Sequence, residues 1–350
     1  TLELGEGKSE TVACRWVIDA TGRANLLGRK LGLIERNEEH PTAASWARWK
    51  GVRNIDDLAA RSPSRLARGN VSSRRLATNH YVGRGYWIWV IPLGNGETSI
   101  GVVWDRRLVD LHQRSDREAA CLEFLRAIPA LAQLLDGATQ RSEDFRHYSR
   151  MAYVARQYMG EGWALVGDAA AFLDPYYSPG LDHVSFSVDA TVRIVIEEAK
   201  GTTGDELKAQ IDLHNETFLR SYRRFFAAVF KDKYYYMGEH DLLSAAMLLD
   251  TAQYYLFLVI PAYRVLGRFD WMPVLGPKPA GFNFWLMRLY NRRLKAIAEA
   301  RLAAGRAGLR NDGRRVRLFF ALDHNAVRMA LRGVKLWWLA GIMTGVLVLP

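Results

Sequence analysis

Cysteine is almost absent from this 350-residue chain; Cys14 and Cys121 are the only two. That excludes a disulfide framework and a cysteine-rich metal site, and both thiols read as buried apolar fillers. No H-x-x-x-H pattern, Ser-His-Asp arrangement or phosphate-binding P-loop occurs. Metal, hydrolase and ATPase readings therefore have no support, and no metal ligands are assigned. The glycine fingerprint G-x-G-x-x-G is missing as well. No signal or transit segment opens the chain. It starts at Thr1, already inside a strand pattern, which predicts a natural start further upstream.

Acidic residues are also short, with 37 Asp and Glu against 48 Lys and Arg, a formal charge of +11. Much of the excess lies between Asn283 and Lys335, where thirteen basic residues face three acidic ones. Such a surface suits anionic lipid, nucleic acid or an acidic carrier protein, and it equally describes a solvated helix face. No nucleic-acid motif accompanies it. The rest, 49% apolar and 24% charged, is ordinary globular composition, long enough for a large core and two or more lobes.

What is present falls into strands first and helices later. TLEL and ETVACRWVIDA read as two arms around the turn Gly5-Glu6-Gly7-Lys8, the second arm ending at Asp19-Ala20-Thr21-Gly22-Arg23. Small residues there let a ligand approach the backbone; Arg23 suits a phosphate or a cap. A short helix is predicted over 24–33 and a strand over 43–52, with Trp46 and Trp49 as its bulky members. Residues 55–71, with Arg61-Ser62-Pro63 as a breaker, read as helical segments or as an excursion over the substrate side. A hairpin follows, with arms 86–93 and 98–104 around Gly94-Asn95-Gly96-Glu97. Alternation puts Trp87, Trp89 and Ile91 on one face of its first arm, which plain core packing also explains. Residues 115–136 predict a helix broken near Pro129, and 145–156 a returning strand. From Thr203 the pattern is helical, with Phe218, Tyr222, Phe225 and Phe230 at helical spacing, an apolar stretch over 242–263 broken at Pro261, a proline-rich link over 272–279 and a basic amphipathic helix over 282–305. The last fifteen residues, 336–350, carry no charge. They are short for a spanning helix, and read as an interfacial anchor or as a docked core helix.

The chain is organised around residues 162–183. Trp163, Ala164, Leu165 and Val166 form a short apolar strand that stops at Gly167-Asp168; a second turn, Asp174-Pro175-Tyr176-Tyr177-Ser178-Pro179-Gly180, opens a long helix near Leu181. A carboxylate in such a turn can accept from a ribose hydroxyl, and a helix start offers free N–H groups to an anion. Read alone, the triplet Gly167-Asp168-Ala169 is equally a buried strand closed by a tight turn. Asp182 and His183 follow within a helical turn, as an acid/base pair or as local packing residues.

Together these stretches resemble the flavin-dependent halogenases, the tryptophan-halogenase-like branch of the FAD monooxygenase superfamily. Val17-Ile18-Asp19-Ala20-Thr21-Gly22-Arg23 is similar to the superfamily's strand-end motif beside FAD, and Gly167-Asp168 with Asp174-Pro175 to its second FAD fingerprint. Trp87-Ile88-Trp89-Val90-Ile91-Pro92 matches the halogenase WxWxIP pattern. The resemblance runs from Thr1 to about Lys200.

It implies an α/β fold: an FAD-binding Rossmann-like domain of the aromatic-hydroxylase type lacking its first βαβ unit, a mixed antiparallel substrate sheet and a helical C-terminal lobe. The implied divisions are 1–42, 43–160, 161–202 and 203–350. FAD would be held by Asp19, Thr21, Gly22, Arg23, Gly167, Asp168, Pro175, Ser178, Gly180 and Leu181. Trp87, Trp89, Ile91 and Pro92 would part flavin from substrate, so that only a small oxidised halogen species passes. Halide would meet backbone N–H groups at Ser178 and Gly180, although Pro179 supplies none. Tyr177 stands where the tryptophan halogenases carry a glutamate, and the family's catalytic lysine would precede Thr1. The implied partners are an aromatic or carrier-bound substrate and a separate flavin reductase. The expected location is the cytoplasm, with membrane contact through 336–350. Two alternatives stay open: a monooxygenase or reductase of the same fold without halide chemistry, and a non-catalytic binding or membrane-attached module.

Overall fold

The computed structural model describes residues 2–61, 73–111, 115–264, 279–311, 325–342 and 344. The chain enters as a hairpin of β1 (Leu2–Gly5) and β2 (Lys8–Glu10). The predicted second arm is not continuous. Residues 11–16 leave the ladder, and Val17–Asp19 becomes β3 in another sheet, parallel to β13 (Trp163–Leu165). Its register is set by a strand far along the chain, which the tight turn at Gly5 cannot also satisfy. Cys14 lies in this excursion and is exposed, contrary to the expected filler; Cys121 is buried.

A single turn of 3-10 helix at Gly22–Ala24 leads into α1 (Leu26–Lys30), then β4 (Ile34–Arg36), β5 (Thr42–Lys50) and α2 (Ile55–Arg61). The predicted helical segments beyond Arg61 fall on residues outside the described set. Next come β6 (Asn79–Gly83), β7 (Tyr86–Pro92) and β8 (Thr98–Asp105), the last two forming the predicted hairpin with Tyr86 opposite Trp104 and Pro92 opposite Thr98. Pro129 starts a new helix rather than continuing the old one, giving α3 (Arg117–Arg126) and α4 (Pro129–Leu134).

The large sheet has the order β10 (Arg146–Tyr148), β5, β8, β7, β6, with β9 (Thr139–Gln140) also on β5. It separates two cores. Ile88 and Val90 face α3 and α4, where Leu125, Leu131 and Leu134 are buried. Trp87 faces the other way, into the core shared with the helical lobe, and Trp89 packs against that core. The predicted returning strand is in fact two strands. β10 (Arg146–Tyr148) pairs with β5, and β11 (Tyr153–Ala155) pairs with β4 and β14 (Ala171–Phe172). The chain changes sheets between them, and alternation cannot register that. A third small sheet joins β12 (Met159–Gly160), β13 and β3.

Helices complete the structure. α5 (Gly180–Ala199) is followed by α6 (Gly204–Phe225), which widens into a π turn at Phe226–Phe230, and by α7 (Lys233–Tyr236). α8 (His240–Tyr254) runs through a second π turn, Tyr255–Val259, into α9 (Ile260–Arg264). The expected break at Pro261 is therefore absent. The wider turn just before it relaxes the ladder where the proline lacks an N–H, so the helix carries on. α10 (Pro279–Ala303) is the predicted basic helix, and most of the proline-rich link before it lies outside the described residues. α11 (Ala326–Ile342) lies against α8; a Cβ on Gly333 would stand 2.7 Å from Leu249 Cγ, so only glycine permits that approach. Residues 343 and 345–350 of the apolar tail are outside the described set.

Candidate functional site

Because β3 and β13 are parallel and in register, Val17 opposite Trp163 and Asp19 opposite Leu165, their carboxyl ends meet at one edge. Ligands in α/β folds sit outside that edge. A cleft of about 670 Å³ opens there, lined by Ala20 and Gly22 from the first loop, Gly167 and Asp168 from the second, Pro175 and Ser178 from the following turn, and Gly180 and Leu181 from the start of α5. Gly167 adopts φ 55°, and a Cβ on it would lie 2.6 Å from Val184 Cγ2. Its N–H donates to Ser187 Oγ at 3.0 Å, and that hydroxyl donates to the His183 carbonyl at 2.8 Å, tying the turn to α5.

Three predicted site residues play other parts in this geometry. The Asp19 carboxylate is buried and accepts from Thr21 N (2.9 Å), Thr21 Oγ1 (2.6 Å) and Leu27 N (2.7 Å). Burial pushes its pKa up, but hydrogen bonds from Thr21, Leu27 and Gly28 outweigh this and hold it below the usual range. Asp19 and Thr21 thus build the loop that brings Ala20 and Gly22 to the cleft. The Arg23 guanidinium lies over the rings of Tyr148 (4.4 Å), Phe172 (4.7 Å) and Tyr153 (5.2 Å) and donates to the Met151 carbonyl at 3.2 Å.

Asp168 is half-buried, and burial raises its pKa against the opposing pull of Arg23. Ser178 sits at φ 53°, a left-handed conformation unusual for serine. Pro179 caps α5 without an N–H, so the free donors at the helix start begin with Gly180. Asp182 and His183 both line the cleft. Burial raises the pKa of Asp182, opposed by a hydrogen bond with Tyr254. His183 is half-buried against Tyr158 and Phe218, and desolvation pushes its pKa down to about 4, so it is neutral near pH 7.

The tryptophan strand reaches the cleft indirectly. Neither indole lines it. The Trp87 ring lies 5.4 Å from that of Tyr176, which follows the cleft residue Pro175. Trp87 Nε1 donates to the Tyr234 hydroxyl at 2.9 Å, and Tyr234 donates to Asp174 Oδ2 at 2.6 Å. His40 Nε2 is 3.0 Å from the same oxygen, and Tyr176 N donates to Asp174 Oδ1 at 3.0 Å. Trp89 Nε1 donates to Ser99 Oγ at 3.0 Å, and its ring packs on Trp46 and Trp87. Ile91 is half-buried on the same face, and Pro92 is exposed at the strand end.

Sequence reasoning missed a second buried network. Lys233 is fully buried, with Nζ donating to Asp250 Oδ2 (2.7 Å) and to the hydroxyls of Tyr177 and Tyr236 (3.2 Å each). Tyr177 and Tyr290 also donate to the Asp250 carboxylate. The available signal was Asp250 itself, a lone carboxylate inside the apolar run Met247-Leu248-Leu249-Asp250.

This combination of a parallel-strand cleft, a tryptophan sheet and a helical lobe is the fold of solved halogenases. Halogenase PltM in complex with phloroglucinol and FAD superposes with a TM-score of 0.64 at 17% identity, covering 96% of this chain and 64% of that one. The flavin-dependent brominase Bmp2 gives 0.51 at 20% identity, covering 80% and 64%. The tryptophan halogenase family model matches residues 2–236, and the chain belongs to that family. Among curated relatives, the flavin-dependent halogenase chlA of Dictyostelium discoideum is 24% identical over 274 residues, 75% of this chain and 43% of that protein. The tetracycline 7-halogenase of Kitasatospora aureofaciens is 32% identical over 188 residues, 51% of this chain and 33% of that protein. The chain thus spans less than half the length of these relatives.

Proposed function

We propose that this chain is the flavin-facing and acceptor-facing part of an FAD-dependent halogenase, a cytoplasmic oxidoreductase acting on an aromatic or carrier-bound substrate with a separate flavin reductase. The observation that carries the reading is the meeting of Gly22, Gly167, Asp168, Pro175, Ser178, Gly180 and Leu181 in one cleft. The cofactor fits the chemistry of that edge: a half-buried carboxylate for hydroxyl groups, glycines for close backbone approach, and free helix-start N–H groups for an anion. When bound, reduced FAD supplies, with oxygen, the oxidising equivalents for halide. The chain's own tasks are then to orient and to exclude. Asp168 would accept from the ribose, Gly180 N–H would face halide beside Ser178, and the Trp87–Tyr234–Asp174 chain would hold the indole wall against the turn. Turnover of the full-length protein with reduced FAD, with and without bromide, tests this. Hydroxylated product without brominated product would replace it with the monooxygenase reading, which Pro179 favours.

The isolated 350-residue chain is expected to hold FAD poorly. Val17 is 47% and Ile18 45% exposed on β3, and Val188, Val192 and Ile196 form an exposed stripe on α5. Parallel strands are normally covered on both faces. A βαβ unit with a glycine fingerprint packed on this surface would cover it and cradle the pyrophosphate. Flavin absorbance of the purified chain is the check, and stoichiometric FAD would contradict the expectation.

The C-terminal helix supports a membrane contact. Val327, Leu331, Val334, Trp338 and Ile342 share its exposed face, and the helix carries Arg328, Arg332 and Lys335 with no acidic residue. Flotation with anionic vesicles is expected, and Leu331→Glu should abolish it. Equal flotation of the variant would remove the contact.

A further inference from the structure

Behind one wall of the cleft lies a second pocket of about 430 Å³, which shares no lining residue with it. Tyr153 and Arg23 make the partition, packing from the pocket side on the cleft residue Phe172. The Tyr153 hydroxyl also donates to the Asp168 carbonyl at 2.5 Å. Four arginines line the pocket, Arg23, Arg29, Arg36 and Arg150, and among the described residues no Asp or Glu does. They arrive from separate elements: the 3-10 turn, α1, the end of β4 and the segment after β10. A guanidinium keeps its proton at any ordinary pH, so titration cannot relieve their mutual repulsion. Arg23 forms the floor, with its charge on three rings. Arg29 donates to Asn25 Oδ1 at 2.8 Å and to the Arg23 carbonyl at 3.4 Å, neutral acceptors that leave its charge unbalanced. Arg150 pairs with Glu38 at 2.9 Å, in the open, where such a pair is weak. The Arg36 side chain has no ion pair or hydrogen bond among the described residues. Arg29, Arg36 and Arg150 are all exposed, so their forks are reachable from solvent.

We propose that this pocket binds the phosphate monoester of a small organic molecule, held by Arg29, Arg36 and Arg150. A concave site of one charge sign concentrates ligands of the other. A phosphate ester brings close to two negative charges and three acceptor oxygens, which suits several guanidinium forks at once. A carboxylate brings one charge and two oxygens. The volume is that of a small-molecule site rather than of a bare ion. Ile34, Ala152 and the Tyr148 ring, 42% exposed, offer apolar surface to the rest of the ligand. The inference stands apart from the halogenase reading, since the cleft and the pocket are lined by different residues.

Calorimetric titration of the 350-residue chain with phenyl phosphate, phenyl sulfate and inorganic phosphate tests the inference without flavin or turnover. The titrations are run at about pH 8, where the phosphate ester has lost its second proton. Phenyl sulfate keeps the ring and the tetrahedral head but carries a single charge. Phenyl phosphate is expected to bind roughly tenfold more tightly than phenyl sulfate, and more tightly than inorganic phosphate, which lacks the ring. Arg36→Gln breaks no side-chain contact among the described residues, so it should weaken phenyl phosphate roughly tenfold and leave the unfolding midpoint unchanged. Arg29→Gln is the second variant, with the same expected direction. Phenyl sulfate binding as tightly as phenyl phosphate would overturn the inference, and so would unchanged affinity in both variants. Inorganic phosphate binding as tightly as the ester would overturn the assignment of an organic ligand. Saturating the full-length protein with FAD should leave phenyl phosphate bound. Its displacement by FAD would give the arginines to the cofactor and overturn the separate site.

Discussion

Asp250→Asn is expected to lower the folding free energy by about 3–5 kcal/mol. Lys233 has no exposed side-chain surface, and its ammonium lies 2.7 Å from the Asp250 carboxylate. The amide keeps the shape of the side chain but removes the only anion facing that ammonium among the described residues, so a buried charge is left with phenols alone. The two hydroxyl groups that donate to the carboxylate, those of Tyr177 and Tyr290, would also be misdirected. The companion change Lys233→Met should restore much of the loss, since replacing both partners costs far less than stranding one. Urea midpoints of the two single variants and the double variant read this directly. A loss below about 1 kcal/mol in Asp250→Asn would show that the pair is not the buried ion pair described.

Gly167→Ala should be the most damaging small substitution at the cleft. The position has φ 55°, where a Cβ costs about 1–2 kcal/mol. The new methyl would also meet Val184 Cγ2 at 2.6 Å, an overpacking cost of about 1–3 kcal/mol. The expected total is therefore about 2–5 kcal/mol. Trimming the neighbour separates the two causes. Gly167→Ala with Val184→Ala should recover the packing part and leave the backbone part, as read from thermal or urea unfolding. Full recovery in the pair would show that the left-handed backbone carries no penalty, and a neutral single variant would show that neither cause operates.

The strand, turn and helix around Gly167 were legible in the sequence because the signal is local. An apolar run stops at a glycine, and a proline and a glycine open a helix. The hairpin of Tyr86 and Thr98 was legible for the same reason. Where the sequence misled, a distant partner decided. β3 takes its register from Trp163, and β10 and β11 part because β5 and β4 lie in different sheets. Asp19 has the residue type of a ribose ligand, but only coordinates reveal that Thr21 and Leu27 already occupy its oxygens. Arg23 likewise spends its charge on three rings that come from residues 148, 153 and 172. The pairing of Lys233 with Asp250 joins two different helices, and no periodicity encodes which lysine meets which aspartate. Pro261 misled in another way, since a π turn absorbs what a stricter helix would refuse.

The consecutive tyrosines just before Ser178 are moored to different parts of the molecule. Tyr176 rests on the tryptophan sheet, and Tyr177 is bound to Asp250 and Lys233 among the helices. The turn that carries them is slung like a bridge deck from two banks, with the α5 donors at its end. A displacement of either bank would tilt the deck, so the sheet and the helical lobe are mechanically yoked through a handful of backbone atoms.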